Sequence, residues 1–573
     1  MKLARFAPRL AAGLVVLLLA AITYPGAFAV SMIARLTPPP TAASPAPSGV
    51  LPWLHVEHPR SGRPYIADEQ KRMVLFHGAV PADLLDFGNS ARPDAPPVYP
   101  IDPAAYEGRQ CPVIVASAYP PLCQSDLSQM AAFGFNSLRL PLSWSLLEPE
   151  RGRFNQTYVD RAAQVVDWAR ALGIYVIIDL HQNAYSRYVG PGNGVDLSAN
   201  SGAPAWATLT DGIPSGLFIK NQREANGAVF EAFSNFWYNR GGIQDEYIAA
   251  VSLLAKRFKD DSAVAGYSAF NEPQPGWNLP PGFEDLLLFP FYRRVIDAVT
   301  GAHDGVPCPT GIFMPAVCGY ADAGVHDRRH LFFLEPGLLR QITDFPTHLG
   351  LPLSSYPNLV FDIHAYTHGF TVEALLPGNH DPSKATYPWG GYDQTYSLGW
   401  REAKVMGAAL FVSEFGNDPK YDSLMLAKQT LEQEKYNVGF AFWTWKENSG
   451  VGWGMFDPAK KDVSPMQSSG CLRVARERLL ARVYPRASSD PELAYHYDPA
   501  TGAFTLSAQG HAGDPATVIS IPSEVTGEVT GSGADGPVTQ TSPDGSRLVS
   551  VTPGGGHFEI TVQPAQLALA GCG

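Results

Sequence analysis

Two glutamates stand where a side chain can do chemistry. Phe270-Asn271-Glu272-Pro273 and Val412-Ser413-Glu414-Phe415-Gly416 each end a short apolar run that reads as a buried strand. A carboxylate just past the C-terminal end of a strand points into a pocket rather than into the core. Two of them, far apart in sequence, suggest a catalytic pair, the usual machinery for cutting glycosidic bonds. One carboxylate would attack and must stay ionised. The other would protonate the leaving oxygen, so its surroundings should raise its pKa. A separation of about 5–5.5 Å would mean retention of configuration, and one beyond about 6.5 Å inversion.

Other polar residues fall at the ends of neighbouring runs. Arg139 follows Phe135-Asn136-Ser137-Leu138, and Asp179-Leu180-His181-Gln182-Asn183 closes another run. His364 and Tyr366 share one face, because residues two apart in a strand point the same way. Trp443 and Trp445 close the last run. Arg139 and Tyr366 would keep Glu414 ionised. Asn271 can bond a sugar hydroxyl, and Trp443 offers an apolar face to a sugar ring. Singly, each has an ordinary structural reading; their joint placement carries the weight.

The elements that must position them are short strands alternating with helical patterns. The strands are expected at Val74–Val80, Phe135–Leu142, Ile174–His181, Val264–Phe270, Gly311–Val317, Leu359–Tyr366, Ala409–Phe415 and Val438–Trp445. Helical periodicity is expected over Tyr158–Leu172, Ile243–Phe258 and Phe291–Val299. Eight such units predict an α/β fold, a (β/α)8 TIM barrel. A doubly wound sheet is the alternative, but no glycine-rich phosphate loop follows the first strand. Long insertions are expected after the first strand (about Pro81 to Ser125) and after the third (Asn183 to about Gly242). The second holds Trp206, Phe218, Phe230, Phe233, Phe236 and Trp237 and reads as a packed wall beside the site.

Phe135-Asn136-Ser137-Leu138-Arg139-Leu140-Pro141, Asp179-Leu180-His181-Gln182, Phe270-Asn271-Glu272-Pro273, His364-Ala365-Tyr366, Ser413-Glu414-Phe415-Gly416 and Phe442-Trp443-Thr444-Trp445 resemble glycoside hydrolase family 5 of clan A. The resemblance runs from about Pro52 to Pro485. It implies Glu272 as acid/base and Glu414 as nucleophile, with Arg139, His181, Asn271, His364, Tyr366 and Trp443 around them. Leu146-Leu147-Glu148-Pro149, His181-Gln182-Asn183, Gly202-Ala203-Pro204-Ala205-Trp206-Ala207-Thr208 and Asn271-Glu272-Pro273-Gln274-Pro275-Gly276 are similar to the endoglycoceramidase branch. That branch implies cleavage of a glycan from ceramide, with Gln182 and Asn183 added to the substrate-binding set, and it also carries a C-terminal β-sandwich. The chain departs from the branch at Asn183, where Asp is usual, and over Gly78 to Asn89.

The chain has 573 residues, 45% hydrophobic and 17% charged, with a net charge of −12. That is a globular composition with a large core and no basic surface for nucleic acid. Residues 1–36 read as a signal peptide or an N-terminal membrane anchor: Lys2, Arg5 and Arg9 precede the apolar run Leu10 to Ile22, and Ala27-Phe28-Ala29 offers a cleavage point. Residues 37–50 form a Pro/Ala/Ser-rich linker, 51–485 the barrel, and 486–573 a small β-sandwich whose strands follow at Leu493–Tyr497, Ala503–Ser507, Thr517–Ile521, Glu528–Thr530, Val538–Thr541, Leu548–Val551 and His557–Val562. An extracytoplasmic location follows from the leader. Six cysteines suit it, with Cys111/Cys123, Cys308/Cys318 and Cys471/Cys572 the preferred pairs.

The expected partner is a carbohydrate or glycolipid substrate, with contact to a membrane surface if the substrate is a lipid. No cofactor is expected, and a monomer is. A β-glucanase or β-glucosidase on the same scaffold is one rival. A metal-dependent hydrolase using Asp179/His181 and Asp362/His364 is another, although no Cys/His zinc spacing is present. A non-catalytic carbohydrate-binding protein is the third. The run Phe283–Phe291 has two readings, helix packing or the lining of an apolar groove.

Overall fold

The computed structural model describes residues 51–87, 100–109, 111–112, 119–190, 199–216, 218, 223–278, 282–303, 305–311, 314–347, 353–366, 391–448, 452–458 and 470–571. The expected leader and linker and Cys572 lie outside these residues, as does part of each long insertion.

Eight parallel strands close into a barrel: His77–Val80, Ser137–Ser143, Tyr175–His181, Val264–Ser268, Leu331–Leu334, Leu359–His364, Ala409–Phe415 and Gly439–Trp443. Closure is made where Phe440 of the eighth strand pairs with His77 of the first. Helices Gln156–Ala171, Ile243–Phe258 and Phe289–Thr300 cover it where helical spacing is predicted. The side chains divide by parity. Leu138, Leu140, Leu142, Val176, Ile178 and Leu180 pack outward against the helices. Tyr175, Ile177, Val360, Phe411 and Phe333 face inward and fill the lower barrel. Further along the same inward faces come Arg139, Asp179, His181, Asp362 and His364. The barrel is thus dry at its base and ionic at its mouth.

Two expected strands are placed differently. The fifth is Leu331–Leu334, not Gly311–Val317. The described residues of 311–317 are irregular, and Pro315 removes a ladder donor there. The Cys308–Cys318 disulfide staples that segment, with its Cα atoms 5.7 Å apart. The expected first strand, Val74–Val80, divides in two. Met73–Val74 pairs with Ala487 and Ser488 in an outer sheet, whereas His77–Val80 enters the barrel. Asn136 holds the crossing, since its amide donates to Leu75 O (2.8 Å) and its oxygen accepts from His77 N (2.8 Å).

Beyond the barrel lie two antiparallel sheets. One has seven strands, in the order His55–Glu57, Tyr65–Ala67, Met73–Val74, Tyr484–Ser488, Thr517–Ile521, Arg547–Pro553 and Ala534–Thr541. The other has four: Ala494–Tyr497, Phe504–Gly510, Gly556–Val562 and Val529–Ser532. Tyr495, Tyr497, Phe504, Leu506, Phe558 and Ile560 share a buried cluster with Ile519, Ile521, Val549 and Val551. Three strands of the larger sheet come from the start of the described chain. Tyr484 stacks on His77 at 3.6 Å and donates to Gly134 O, which fixes this sheet to the barrel base.

Cys111 and Cys123 are bonded, and Cys471 is also disulfide-bonded. Within the third-strand insertion, Asn226 caps the helix Gly227–Trp237, and Phe233, Phe236 and Trp237 are buried against the barrel. Most of the run Phe283–Phe291 is buried too, with Glu284 and Leu286 half-buried, so it belongs chiefly to helix packing. Among the described residues no helix is long and apolar enough to cross a membrane.

Gly266 lies opposite Leu331 where the fourth and fifth strands pair, and a β-carbon there would fall on the Leu331 carbonyl oxygen. Gly266→Ala must therefore open the ladder. A loss of at least ~2 kcal/mol is expected, read as a lower urea midpoint with an unchanged slope.

Candidate active site

The site is assembled around Arg139, whose side chain is wholly buried. Its Nη1 donates to Glu414 Oε1 at 2.6 Å, and its Nη2 donates to Asn271 Oδ1 and Glu335 Oε1, each at 2.8 Å. Asp179 Oδ2 lies 3.0 Å from the same Nη2. Burial disfavours the guanidinium charge, but Asp179, Glu335, Glu414 and Asp362 more than offset it. One cation thus joins the ends of the second, third, fourth, fifth and seventh strands.

Glu414 reaches the pocket through an irregularity in its strand. Strict alternation from Ala409 and Phe411 would point Ser413 inward and Glu414 outward. The register instead shifts between Val412 and Glu414, a bulge that turns the carboxylate toward the mouth. Gly416 allows the next strand to approach, since a β-carbon there would meet the Trp443 carbonyl oxygen. Tyr366 donates its hydroxyl to Glu414 Oε2 at 3.0 Å. Burial holds the Tyr366 proton in place and the Glu414 charge adds to the effect. The bond to a donor hydroxyl and the Arg139 contact both favour the Glu414 carboxylate. Burial opposes them and pushes the Glu414 carboxyl up, against the charges of His364 and Arg139.

Glu272 follows the fourth strand in a left-handed conformation, with φ of 40°. Its side chain keeps an edge toward solvent, at 18% exposure against 6% for Glu414. Gln182 holds this turn by donating to Asn271 O (2.7 Å) and Glu272 O (3.1 Å) while accepting from Tyr185 N (2.6 Å). Its amide is therefore used as a brace. Gly202 packs under Gln182 where a β-carbon would clash, at 2.6 Å from Gln182 Cβ. Asn271 donates to Gln182 O at 2.9 Å, with His181 Nε2 at 3.3 Å.

His364 stands between the two glutamates. Its Nδ1 is 2.9 Å from Glu272 Oε1 and 3.6 Å from Glu414 Oε2. The expectation that surroundings raise the pKa of Glu272 is not met as the side chains stand here. Burial acts upward, but the bond and charge of His364, with His181 and Arg223, bring the Glu272 carboxyl below its ordinary value. Burial would lower His364, yet Glu335 and Glu414 hold it well above the ordinary imidazole range.

A carboxylate oxygen of Glu272, one of Glu414 and a ring nitrogen of His364 lie within 4.8 Å of one another. Such a triple could bracket a cation, but Arg139 already neutralises Glu414 and His364 already bonds Glu272. The aspartates of the metal reading are engaged elsewhere. Asp179 pairs with Arg139 and with His181 Nδ1 (2.8 Å). Asp362 accepts from Ser413 N, and burial with the nearby Glu335 pushes it up to about 8. Trp443 lies parallel to His181, its ring 5.8 Å away, and Tyr119 meets it edge-on at 6.2 Å.

The structure therefore gathers Arg139, His181, Asn271, Glu272, His364, Tyr366, Glu414 and Trp443 at one mouth, with Gln182 behind them. Asn183 stands one step away, accepting from Arg223 Nη2 at 2.8 Å. Sequence reasoning missed Glu335, a buried third glutamate at the site. Its signal was present: Leu331-Phe332-Phe333-Leu334-Glu335-Pro336 has the same apolar-run-then-Glu-Pro form as Phe270 to Pro273. The misplaced fifth strand hid it. Tyr119 and Arg223 were also missed, and their loops carry no periodic pattern that would reveal them.

The family model for cellulase, glycosyl hydrolase family 5, matches residues 107–449, over half of the chain. The chain belongs to glycosyl hydrolase family 5. It is a glycoside hydrolase. A probable glucan 1,3-beta-glucosidase A from Aspergillus niger is 25% identical over 354 residues, 60% of this chain and 74% of that protein. Endoglycoceramidase I of Rhodococcus hoagii is 28% identical over 214 residues, 34% of this chain and 42% of that protein. The crystal structure of an endogalactoceramidase superposes with a TM-score of 0.67 and 26% identity, covering 90% of this chain and all (100%) of that one.

Replacing Arg139 by Met leaves the surrounding carboxylates unpaired and should cost about 3–5 kcal/mol of stability, read from the urea midpoint. Without the guanidinium Glu414 protonates at higher pH, so the acid limb of kcat/KM should move upward in the activity that remains.

Proposed function

We propose that this chain is a retaining β-glycosidase that releases the glycan from a glycolipid, with Glu414 as nucleophile and Glu272 as acid/base. The observation that carries this reading is that an oxygen of Glu272 and an oxygen of Glu414 lie within 4.8 Å of each other, an approach that favours the shorter carboxyl separation of retaining enzymes. The two carboxyls differ in exposure and in partners rather than in the direction of pKa first expected. Glu414 is the more buried and is held by Arg139 and Tyr366. Glu272 has the freer edge, from which it can reach a leaving oxygen.

Glu414 attacks the anomeric carbon as the bond to the aglycone oxygen breaks, and that oxygen takes a proton from Glu272. A glycosyl ester on Glu414 results. Glu272, now a carboxylate, takes a proton from water. The water oxygen attacks the same carbon, the ester bond breaks, and the sugar leaves with its configuration retained. Trp443 lies beneath the reacting ring, and Asn271 bonds its hydroxyls.

The glycolipid assignment is supported by endoglycoceramidases among the relatives and by an exposed apolar surface that includes Trp277, on the loop that also carries Glu272. Phe218 and Trp277 are exposed at 60% and 46%. Phe230 completes the cluster, with ring centroids 5.2 Å from Trp277 and 5.6 Å from Phe218. Trp277 shares with Glu272 the loop that follows the fourth strand, so the aglycone would leave the acid across these rings. Asn183, bonded to Arg223, would offer the glycan an amide where the branch has an acid. The Aspergillus niger relative, covering more of the chain, favours a β-glucosidase as the second reading. The antiparallel sheets serve as a β-sandwich that buttresses the barrel; its strands come mostly from Tyr484 onward, but His55–Glu57, Tyr65–Ala67 and Met73–Val74 complete it, so a simple division into 51–485 and 486–573 does not hold. The two described disulfides support an extracytoplasmic location.

Mass spectrometry of products from glycosphingolipids, alkyl glucosides and β-glucans tests the substrate. Free ceramide with an intact oligosaccharide is expected, and monosaccharide release alone would move the assignment to the β-glucosidase. Glu414→Gln should lose at least ~10⁴-fold in kcat; normal turnover by that variant removes the nucleophile assignment. Trp277→Ala should raise KM about tenfold for a glycolipid and leave KM for a soluble nitrophenyl glycoside unchanged.

A further inference from the structure

We propose that Glu335 is a positioning residue for Glu272, acting through the main-chain N–H of Glu272 and through the imidazole of His364. The proposal rests on the reading of Glu272 as acid/base. Glu335 follows the fifth strand directly and is buried. Its Oε2 accepts from Glu272 N at 2.8 Å and from Gln341 Nε2 at 2.8 Å. Its Oε1 accepts from Arg139 Nη2 at 2.8 Å and lies 3.3 Å from His364 Nε2. A carboxylate offers about four lone-pair sites, and all four are directed at site groups. Glu335 therefore has none left for a sugar, which sets it apart from Glu272 and Glu414.

Two of these contacts bear on Glu272. The first is the N–H bond, which secures a backbone conformation that side-chain-bearing residues seldom adopt. It fixes the direction in which the Glu272 side chain leaves the turn. Gln182 braces the same turn by donating to Asn271 O, so the Asn271–Glu272 peptide is gripped at both polar ends.

The second contact runs through His364. Its ring faces Glu272 at Nδ1, Glu335 at Nε2 and Glu414 at 3.6 Å. Asp362 lies on its own strand, and Asp179 and Arg139 face it from the third and second strands, with His181 beyond. Tyr366 stands edge-on, 5.9 Å away. Nε2 has two neighbours at 3.3 Å, Arg139 Nη1 and Glu335 Oε1. As an acceptor it would take the first, and as a donor the second. The carboxylates around the ring outnumber the cations, which favours a proton on Nε2 and, with Nδ1 turned to the Glu272 carboxyl, a second on Nδ1, so that the ring is an imidazolium. The ring then donates to Glu335 on one side and Glu272 on the other. Its proton stands 2.9 Å from the oxygen that must deliver one to the leaving group.

Removing the negative charge of Glu335 destabilises the His364 imidazolium and the proton it holds against Glu272. In the full chain, Glu335→Gln should move the basic limb of kcat/KM to lower pH by about one unit. It should also lose about tenfold or more on an alkyl or lipid glycoside, whose leaving oxygen needs a proton. The first turnover of a 2,4-dinitrophenyl glycoside, whose leaving group departs unaided, should change little. Glu335→Asp keeps the charge and should return the limb to its place. Equal losses on both substrates with an unmoved limb would reduce Glu335 to a structural role and overturn the proposal.

Glu272→Ala separates this failure from failure of the acid/base reading. That variant should lose the first substrate, keep the burst on the second and regain turnover with azide. If it does not, the acid/base reading falls whatever Glu335 does. Should Glu335→Gln not fold, ¹⁵N NMR of histidine-labelled unsubstituted protein gives the same answer. A ring protonated on both nitrogens at about pH 8 and absent from His364→Gln is expected, because the carboxylates around His364 hold its proton above the ordinary range. A neutral His364 at that pH overturns the proposal.

Discussion

A guanidinium with no access to water needs counter-charges close by, and the mouth of this barrel supplies them at both of its terminal nitrogens. Arg139 has Glu414, Glu335, Asp179 and Asn271 within 3.0 Å. These acceptors come from four other strand ends, so the ion pairs also set where those ends stop. The desolvation of one isolated cation would cost several kcal/mol. It is tolerated because the surrounding acids need a counter-charge as much as Arg139 does. The result is a rigid ionic plate above a dry barrel, with the freer carboxylate, Glu272, at its rim.

That plate explains how much could be read beforehand. Barrel strands buried on both faces are continuous apolar runs, and a polar residue ending such a run is conspicuous. Arg139, His181, Glu272, His364 and Glu414 were all visible in this way. The fifth strand failed because Leu331–Leu334 is only four residues long, shorter than the apolar stretch Gly311–Val317, which Pro315 and the neighbouring disulfide set apart from the sheet. Glu335 was lost with it. The division of Val74–Val80 was hidden for a different reason: both of its halves are strands, and only tertiary pairing tells them apart.

The orientation of Glu414 was legible in position but not in cause. Simple alternation along Ala409–Phe415 points it the wrong way, and one extra residue in the ladder reverses it. The electrostatics were less legible still. Burial, a neighbouring imidazolium and a neighbouring guanidinium act on Glu272 and Glu414 with opposing signs. Their balance depends on distances of a few tenths of an ångström that residue order does not encode.

The seven-stranded outer sheet joins His55–Glu57, Tyr65–Ala67 and Met73–Val74 to strands that lie more than 400 residues later. During synthesis those first strands emerge long before the partners that complete their ladder. Met73 and Val74 wait for Ser488 and Ala487, and the barrel's first strand hangs from them. Biogenesis must therefore keep this stretch from pairing with other chains until translation is nearly done. Such long-range closure is slow relative to local helix formation, and it makes the emergence of the C-terminal strands the step at which the N-terminal edge is finally shielded.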